Sequence, residues 1–200
     1  MTDYEYVTIS PPDRDQGRRL SYDGFSLLDR VVDVEVKSTQ VQGLNRYRFT
    51  ISKESVSEKK EEMLAICSEA YVNDYRFYVS GERSDPDAVA RMRDLIGQLE
   101  HPGTILLWVE YRENGIGFLA LTSEEDAMRI TLAAVLPKYQ GSGVALELYT
   151  KGILVAAEAG MNRVIGRIST TNTAVMNLYS HLGAKFTSPM DVYVRKQEGK

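Results

Sequence analysis

The chain has 200 residues, with 24 Lys and Arg against 28 Asp and Glu, for a formal net charge of −4. Neutralising phosphates needs a clustered cationic surplus, so this balance excludes a dedicated nucleic-acid binder. At 43% hydrophobic and 26% charged residues the composition is that of a globular protein, and a chain this long buries roughly 70% of its unfolded surface, enough for a core without disulfides or metals.

The single cysteine, Cys67, cannot form an internal bridge and sits in an apolar helical pattern, which reads as a buried thiol in a reducing cytoplasm. With only His101 and His181 in the chain, neither a Cys-His nucleophile nor a zinc site has its residues, and no metal is expected. Met1 to Arg19 is polar and lacks the continuous apolar core of a secretion signal. The longest apolar stretch, Val144 to Gly160, carries Glu147, Lys151 and Glu158, so no membrane span is expected either.

In chain order, residues 1–20 read as a mobile leader. Residues 21–45 read as a β-like appendage and linker, with Val32, Val34 and Val36 alternating against Asp33, Glu35 and Lys37. Leu27-Leu28, across Asp29-Arg30, leaves open a small hairpin or one strand. From residue 46 to 198 a mixed α/β domain is expected. Tyr47 to Ile51 reads as a strand, and Ser57, Glu58 and Glu61 open an amphipathic helix carrying Met63, Leu64 and Ile66. Ser84-Asp85-Pro86 starts a second helix, which ends at His101-Pro102-Gly103. Strands over Thr104 to Tyr111 and Ile116 to Thr122 flank Glu113-Asn114-Gly115 as a turn, and Met128 to Leu136 is a third strand. A helix from Gly143 to Ala159, a strand from Arg163 to Ser169, a helix from Thr173 to Leu182 and a closing hairpin through Phe186 and Val192 to Val194 complete the pattern.

Two stretches carry chemistry. After the strand ending at Pro137, Gln140-Gly-Ser-Gly-Val-Ala145 feeds directly into a helix. Its glycines admit close backbone approach, and the first helical N–H groups have no internal partner, so the segment can cradle an anion. It lacks the lysine of a P-loop and the third glycine of a dinucleotide fingerprint. The glycines are equally compatible with a plain tight turn. In the second stretch, Asn172 to Phe186, Asn172 reads as a helix cap or as an amide donor to a bound carbonyl. Tyr179 reads as core or as a hydroxyl turned toward the same cleft.

Together, Gln140-x-x-Gly143-x-Ala145 after the strand, and the Asn172 helix with Leu178-Tyr179 and Gly183, resemble the GNAT family of acyl-CoA N-acyltransferases over about Tyr47 to Arg195. That resemblance implies an α/β fold whose mixed, mostly antiparallel sheet contains one splayed parallel pair, with flanking helices. It implies acetyl-CoA as co-substrate and an amine as acceptor. The pyrophosphate would lie on the N–H groups of Gln140, Gly141, Ser142, Gly143, Val144 and Ala145. The pantetheine would pair with the strand edge at Ala133, Ala134 and Val135, Asn172 would bond the pantetheine, and Tyr179 would stand beside the sulfur as general acid. The chain departs from many members in reading Gly183-Ala-Lys-Phe186 where they have Gly followed at once by Phe.

An oxyanion donor such as the Val135 N–H fits the chemistry. The base is open: Ile165 to Thr171 offers no carboxylate, which leaves a water chain or the Glu124-Glu125-Asp126 loop, a run that also reads as plainly solvated. The run from Ile168 to Ala184 is similar to the bacterial branch that acetylates amino-sugar nucleotides, such as the TDP-fucosamine acetyltransferases. A peptide, protein N-terminal or small-amine acetyltransferase and a non-catalytic acyl-CoA-binding module remain alternatives. Finally, Asp33-Val-Glu-Val-Lys37 echoes Asp191-Val-Tyr-Val-Arg195. This is either chance agreement between two amphipathic strands or a remnant of a first acyltransferase half. As a remnant, residues 22–37 would pack on or extend the main sheet, or dock on a second copy in a homodimer, on the acceptor side of the cleft.

Overall fold

A computed structural model describes residues 4–43, 48–72, 74, 76–79 and 87–197. It contains eight strands and five α-helices among those residues: β1 (Tyr4–Ile9), α1 (Arg14–Tyr22), β2 (Ser26–Lys37), β3 (Thr50–Glu54), α2 (Val56–Ala70), α3 (Ala88–Gln98), β4 (Thr104–Tyr111), β5 (Asn114–Glu124), β6 (Ala127–Val135), α4 (Val144–Glu158), β7 (Arg163–Ser169), α5 (Thr173–His181) and β8 (Lys185–Lys196). The strands form one sheet in the order β1-β8-β2-β7-β6-β5-β4-β3. Every neighbouring pair is antiparallel except β6 and β7.

Helices cover both faces because the central strands alternate apolar residues to both sides. Leu107, Val109, Leu119 and Leu121 pack with α4 and α5, whereas Leu106, Trp108, Phe118 and Ala120 pack with α2 and α3. Cys67 is fully buried in the second of these cores, and burial pushes its thiol up to about 12.

Three expectations are corrected at the chain ends. Within the expected mobile leader, residues 4–9 form an edge strand on β8, and α1 follows, capped by Asp13, whose carboxylate accepts from the N–H groups of Asp15 (2.8 Å) and Gln16 (3.1 Å). This helix has no apolar stripe to betray it, since only Gly17 is buried, beneath the Tyr193 hydroxyl. The appendage is neither a hairpin nor an appendage. β2 is one strand, hydrogen-bonded to β7 on one side and β8 on the other. The closing hairpin is also a single strand, because β1 and β2 from the other end of the chain occupy both of its edges.

Within the domain, the turn after β4 is Arg112-Glu113, both at positive φ (51° and 64°), with Asn114 donating back to the Arg112 carbonyl at 2.8 Å. Gly115 lies beyond the turn, where any Cβ would strike the Trp108 ring. β3 runs from Thr50, later than the strand expected from residue 47, and the Ser84-Asp85-Pro86 start lies outside the described residues. No described helix is long and apolar enough to cross a membrane.

β2 buries Val31, Val32, Val34 and Val36. At roughly 1.5–3 kcal/mol for each such side chain, its removal outweighs a typical net stability of about 5–15 kcal/mol once its two strand pairings are counted. Deleting residues 1–38 should therefore abolish cooperative thermal unfolding by circular dichroism; a soluble, cooperatively folding remainder would make this segment a separable attachment.

Candidate active site

β6 and β7 are hydrogen-bonded at only two registers, Met128↔Val164 and Arg129↔Ile165. Beyond Arg129 the strands diverge, and a bulge in β6 opposite Ala120/Leu121 marks the departure. Divergence leaves a wedge in which β6 has no strand partner on its β7 side. It opens into a cleft of about 510 Å³ between the sheet, the end of α2 and the N-termini of α4 and α5.

Eight of the eleven residues singled out in the sequence line this cleft: Ala133, Ala134, Val135, Gln140, Gly141, Ala145, Asn172 and Tyr179. Ser142, Gly143 and Val144 do not. Val144 is buried, and Gly143 forms the N-cap of α4 at φ 91°.

The six-residue anion cradle is narrower than its sequence suggests. The Gln140 N–H donates to the Pro137 carbonyl (3.1 Å) and the Ser142 N–H to the Tyr139 carbonyl (3.2 Å), so both are committed to the turn. Gly141, Gly143, Val144 and Ala145 keep N–H groups without a backbone partner among the described residues, at the positive end of α4. A cation joins them that sequence reading did not supply. The Arg48 guanidinium donates to the Ser142 carbonyl at 2.6 Å and lies against Gly143. Buried Glu147 holds it there, accepting from Arg48 Nε (3.1 Å), the Arg48 N–H (2.7 Å) and the Phe49 N–H (3.1 Å). No local pattern joins residues 48 and 147, 99 positions apart.

On the β6 edge, the Ala133 carbonyl accepts a hydrogen bond from the Tyr71 hydroxyl, and the Val135 carbonyl accepts from Gln140 Nε2 at 3.4 Å. Tyr71 follows α2 and reads in sequence as the continuation of its apolar face, so nothing marked it. Asn172 caps α5, its Oδ1 accepting from the Val175 N–H at 3.1 Å, and the residue lines the cleft.

Tyr179 is 2% exposed, stacked edge-on against Tyr149 with centroids 5.5 Å apart. Its hydroxyl reaches β7 at Gly166, 2.9 Å from where a Cβ there would stand, and Gly166 is one residue past the last β6–β7 pair. Gly166 is therefore what admits the hydroxyl to the crotch of the wedge. Burial, and then the neighbouring Tyr149, raise the Tyr179 hydroxyl well above the ordinary tyrosine range.

The acidic loop does not reach this cleft. Glu124 is bound by Arg129 through two contacts of 2.7 Å, and Asp126 pairs with Arg163, at the opposite end of β6. The wall of the cleft instead carries Asp74 and Arg76, paired at 2.9 Å, with Arg167 and Ser169 on β7.

A glycine turn feeding a helix beside a single splayed parallel pair is the fold the two motifs implied. A model of the acetyltransferase (GNAT) family matches residues 64–184. The chain belongs to that family. Among solved structures, a functionally unknown conserved protein from Staphylococcus epidermidis ATCC 12228 is 15% identical at a TM-score of 0.74, covering 96% of this chain and 73% of that one. A GCN5-related N-acetyltransferase from Sphaerobacter thermophilus is 14% identical at a TM-score of 0.68, covering 100% of this chain and 62% of that one. The PaiA N-acetyltransferase from Thermoplasma acidophilum, in complex with coenzyme A, is 14% identical at a TM-score of 0.56, covering 76% of this chain and 100% of that one. These likenesses are of fold. No curated protein matches the chain.

The GNAT turn yields a prediction from two neighbouring glycines. A side chain at Gly143 would be strained by its φ, on the order of 1–3 kcal/mol, and would also meet Arg48 Nη2 at 2.5 Å; at Gly141 (φ 80°) there is strain but open space. Gly143→Val should lower the thermal midpoint more than Gly141→Val and should also remove the stabilisation that added coenzyme A confers, as read by thermal shift.

Proposed function

We propose that this GNAT protein transfers an acetyl group from acetyl-CoA to a primary amine, with Tyr179 serving the leaving thiolate. The observation that carries the reading is the wedge: a parallel pair bonded at two registers, an anion cradle at its outer rim and a tyrosine hydroxyl at its crotch. The pyrophosphate would rest on the N–H groups of Gly141, Gly143, Val144 and Ala145 with Arg48 alongside. The pantetheine amides would bond the Ala133–Val135 edge and the Asn172 amide. The Tyr71 hydroxyl competes for the Ala133 carbonyl and would share or yield it.

In the transfer, the amine nitrogen forms a bond to the thioester carbon, the C–S bond breaks, and the developing oxyanion takes a backbone N–H such as that of Val135. A tyrosine of raised pKa is a poor acid toward a solvated thiolate. The comparison changes in a dry site, because burial raises a thiol as well. Tyr179 stays protonated throughout the working range and donates to a thiolate made basic by the same desolvation.

On the acceptor side, Arg76 and Arg167 are met by Asp74 and Asp33. A diphosphate would have to compete with those carboxylates, which ranks a small cationic amine ahead of an amino-sugar nucleotide as acceptor.

The test is release of free thiol from acetyl-CoA with a panel of small amines, peptide N-termini and amino-sugar nucleotides. Release with small amines supports the reading; acetyl-CoA binding without release under any of them would leave a non-catalytic acyl-CoA module. Tyr179→Phe should lower kcat by about 10²-fold with acetyl-CoA affinity unchanged by calorimetry, whereas equal losses in both would make Tyr179 a packing residue. Because an acid acts in its protonated form and the Tyr179 pKa is raised, the kcat profile should show no descending limb below about pH 10.

A further inference from the structure

The acetyltransferase reading leaves the proton of the incoming ammonium without an acceptor, and the structure holds a carboxylate with one buried oxygen unpartnered among the described residues. Asp29 lies on β2 at a register shift against β8, where the extra residue of the bulge turns its side chain toward the end of β7. Its Oδ1 accepts from Ser169 Oγ at 2.9 Å and from the Arg30 N–H at 2.7 Å. Its Oδ2 is buried with no hydrogen-bond partner among the described residues. Leaving a carboxylate oxygen dry and unpaired is costly, and a fold without a use for it would be more stable with an apolar or amide side chain there.

Ser169 connects this group to the cleft. The serine lines the wall facing Asp74, and its single hydroxyl proton is spent on Asp29, so in its 2.7 Å contact with Thr171 Oγ1 the threonine is the donor. Ser169 Oγ also accepts the Thr171 N–H at 3.2 Å. Hydroxyl protons thus run in one direction, from Thr171 through Ser169 to the carboxylate.

We infer that Asp29, acting through Ser169, accepts the proton that the acceptor ammonium sheds before it attacks acetyl-CoA. The inference rests on the acetyltransferase reading above. The ammonium displaces the longer Thr171 N–H contact (3.2 Å) from Ser169 Oγ and passes one proton to that lone pair while the serine proton moves to Asp29 Oδ1, giving a neutral amine and a neutral carboxylic acid. The amine then bonds to the thioester carbon and the C–S bond breaks. The second proton lost by nitrogen balances the thiolate through Tyr179, and Asp29 returns its proton to water. Asp29 is a positioning residue in this scheme, because Ser169 alone of the pair lines the cleft.

The surroundings suit a base stronger than an ordinary aspartate. Burial raises the Asp29 carboxyl above the usual range; the Ser169 and Arg30 hydrogen bonds oppose this, and Asp74 on the facing wall adds like-charge repulsion. The neighbouring cations are occupied: Arg30 by Asp191 of β8 at 3.2 Å, Arg167 by Asp33 at 2.8 Å and Arg76 by Asp74 at 2.9 Å.

The experiment is thiol release by the full chain from about pH 6 to about pH 10 with acetyl-CoA and a primary alkyl amine, comparing native protein, Asp29→Asn and Ser169→Ala. Asp29→Asn should lower kcat/KM about 10²-fold near pH 7, with the deficit closing as pH approaches the pKa of the amine itself, where water has already removed the proton. Its KM for acetyl-CoA should be unchanged and its thermal midpoint equal or higher, since an unpaired buried charge has been removed. Ser169→Ala should show the same closing deficit. A native rate, a deficit constant across pH, or a fall in thermal midpoint together with acetyl-CoA affinity would each overturn the inference. An independent check is the carboxyl titration of Asp29 by ¹³C NMR, assigned by its absence in Asp29→Asn; a midpoint at or below that of an ordinary aspartate overturns the inference whatever the rates. Native protein that releases no thiol with any amine would fail at the earlier step, and the acetyltransferase reading and this inference would fall together.

Discussion

Two parallel strands that part after two pairs of residues set the conditions for everything else in this protein. A buried strand edge must satisfy its N–H and C=O groups, and β6 beyond Arg129 has no strand on its β7 side to do so. The groups there are met in part by the Tyr71 hydroxyl and the Gln140 amide, side chains that a ligand with amides of its own can supplement or replace. The cleft is thus a consequence of a hydrogen-bonding deficit in the middle of the sheet. The surrounding elements have arranged themselves about it, with α4 and α5 presenting their N-termini, and Gly166 making space for Tyr179 at the point of divergence.

The deficit is tolerable because the sheet is well anchored on both sides of it. On one side β3 to β6 are consecutive in chain order around the sheet and carry the larger apolar side chains. On the other side β7 is held by β2, which comes from the opposite end of the chain and is itself clamped by β8. The wall of the cleft around Ser169 is therefore made by residues near 74 and near 169, with Asp29 of β2 bonded behind the serine. The anion cradle has the same character, with Glu147 of α4 holding Arg48 in place beside Gly143. Both ends of the site are assembled from parts distant in sequence, and both are pinned by carboxylates with little exposure.

Legibility in the sequence follows from locality. The central elements read well because each carries its own signal: short apolar runs in β4 and β5, the glycine turn ahead of α4, Arg163 to Ser169 between turns, and Asn172 as a cap. Where the signal was short, the detail shifted: Asn114-Gly115 marked the hairpin, but the two residues at positive φ are Arg112 and Glu113. Helix α1 was missed because its stabilisation comes from a cap and from packing of Gly17 under Tyr193, and a polar helix without an apolar stripe looks like a leader. The Asp33 to Lys37 alternation was read as a half-buried strand and is one, but its place inside the sheet cannot be inferred from alternation, which is the same for an edge strand and an interior one.

The sequence by itself determined that this is an α/β protein of the GNAT family in which a strand, a glycine turn and a helix follow one another directly and Asn172 caps the next helix, because each of those features is written in residues within a turn or two of one another. Tertiary structure alone decided which N–H groups of the turn lack a backbone partner among the described residues, that Arg48 lies beside Gly143, that Tyr71 bonds the strand edge, and that Asp29 stands behind Ser169. These depend on contacts between residues from 62 to 140 positions apart, and pairing at such separations is set by the order of strands in the sheet, which no local periodicity encodes.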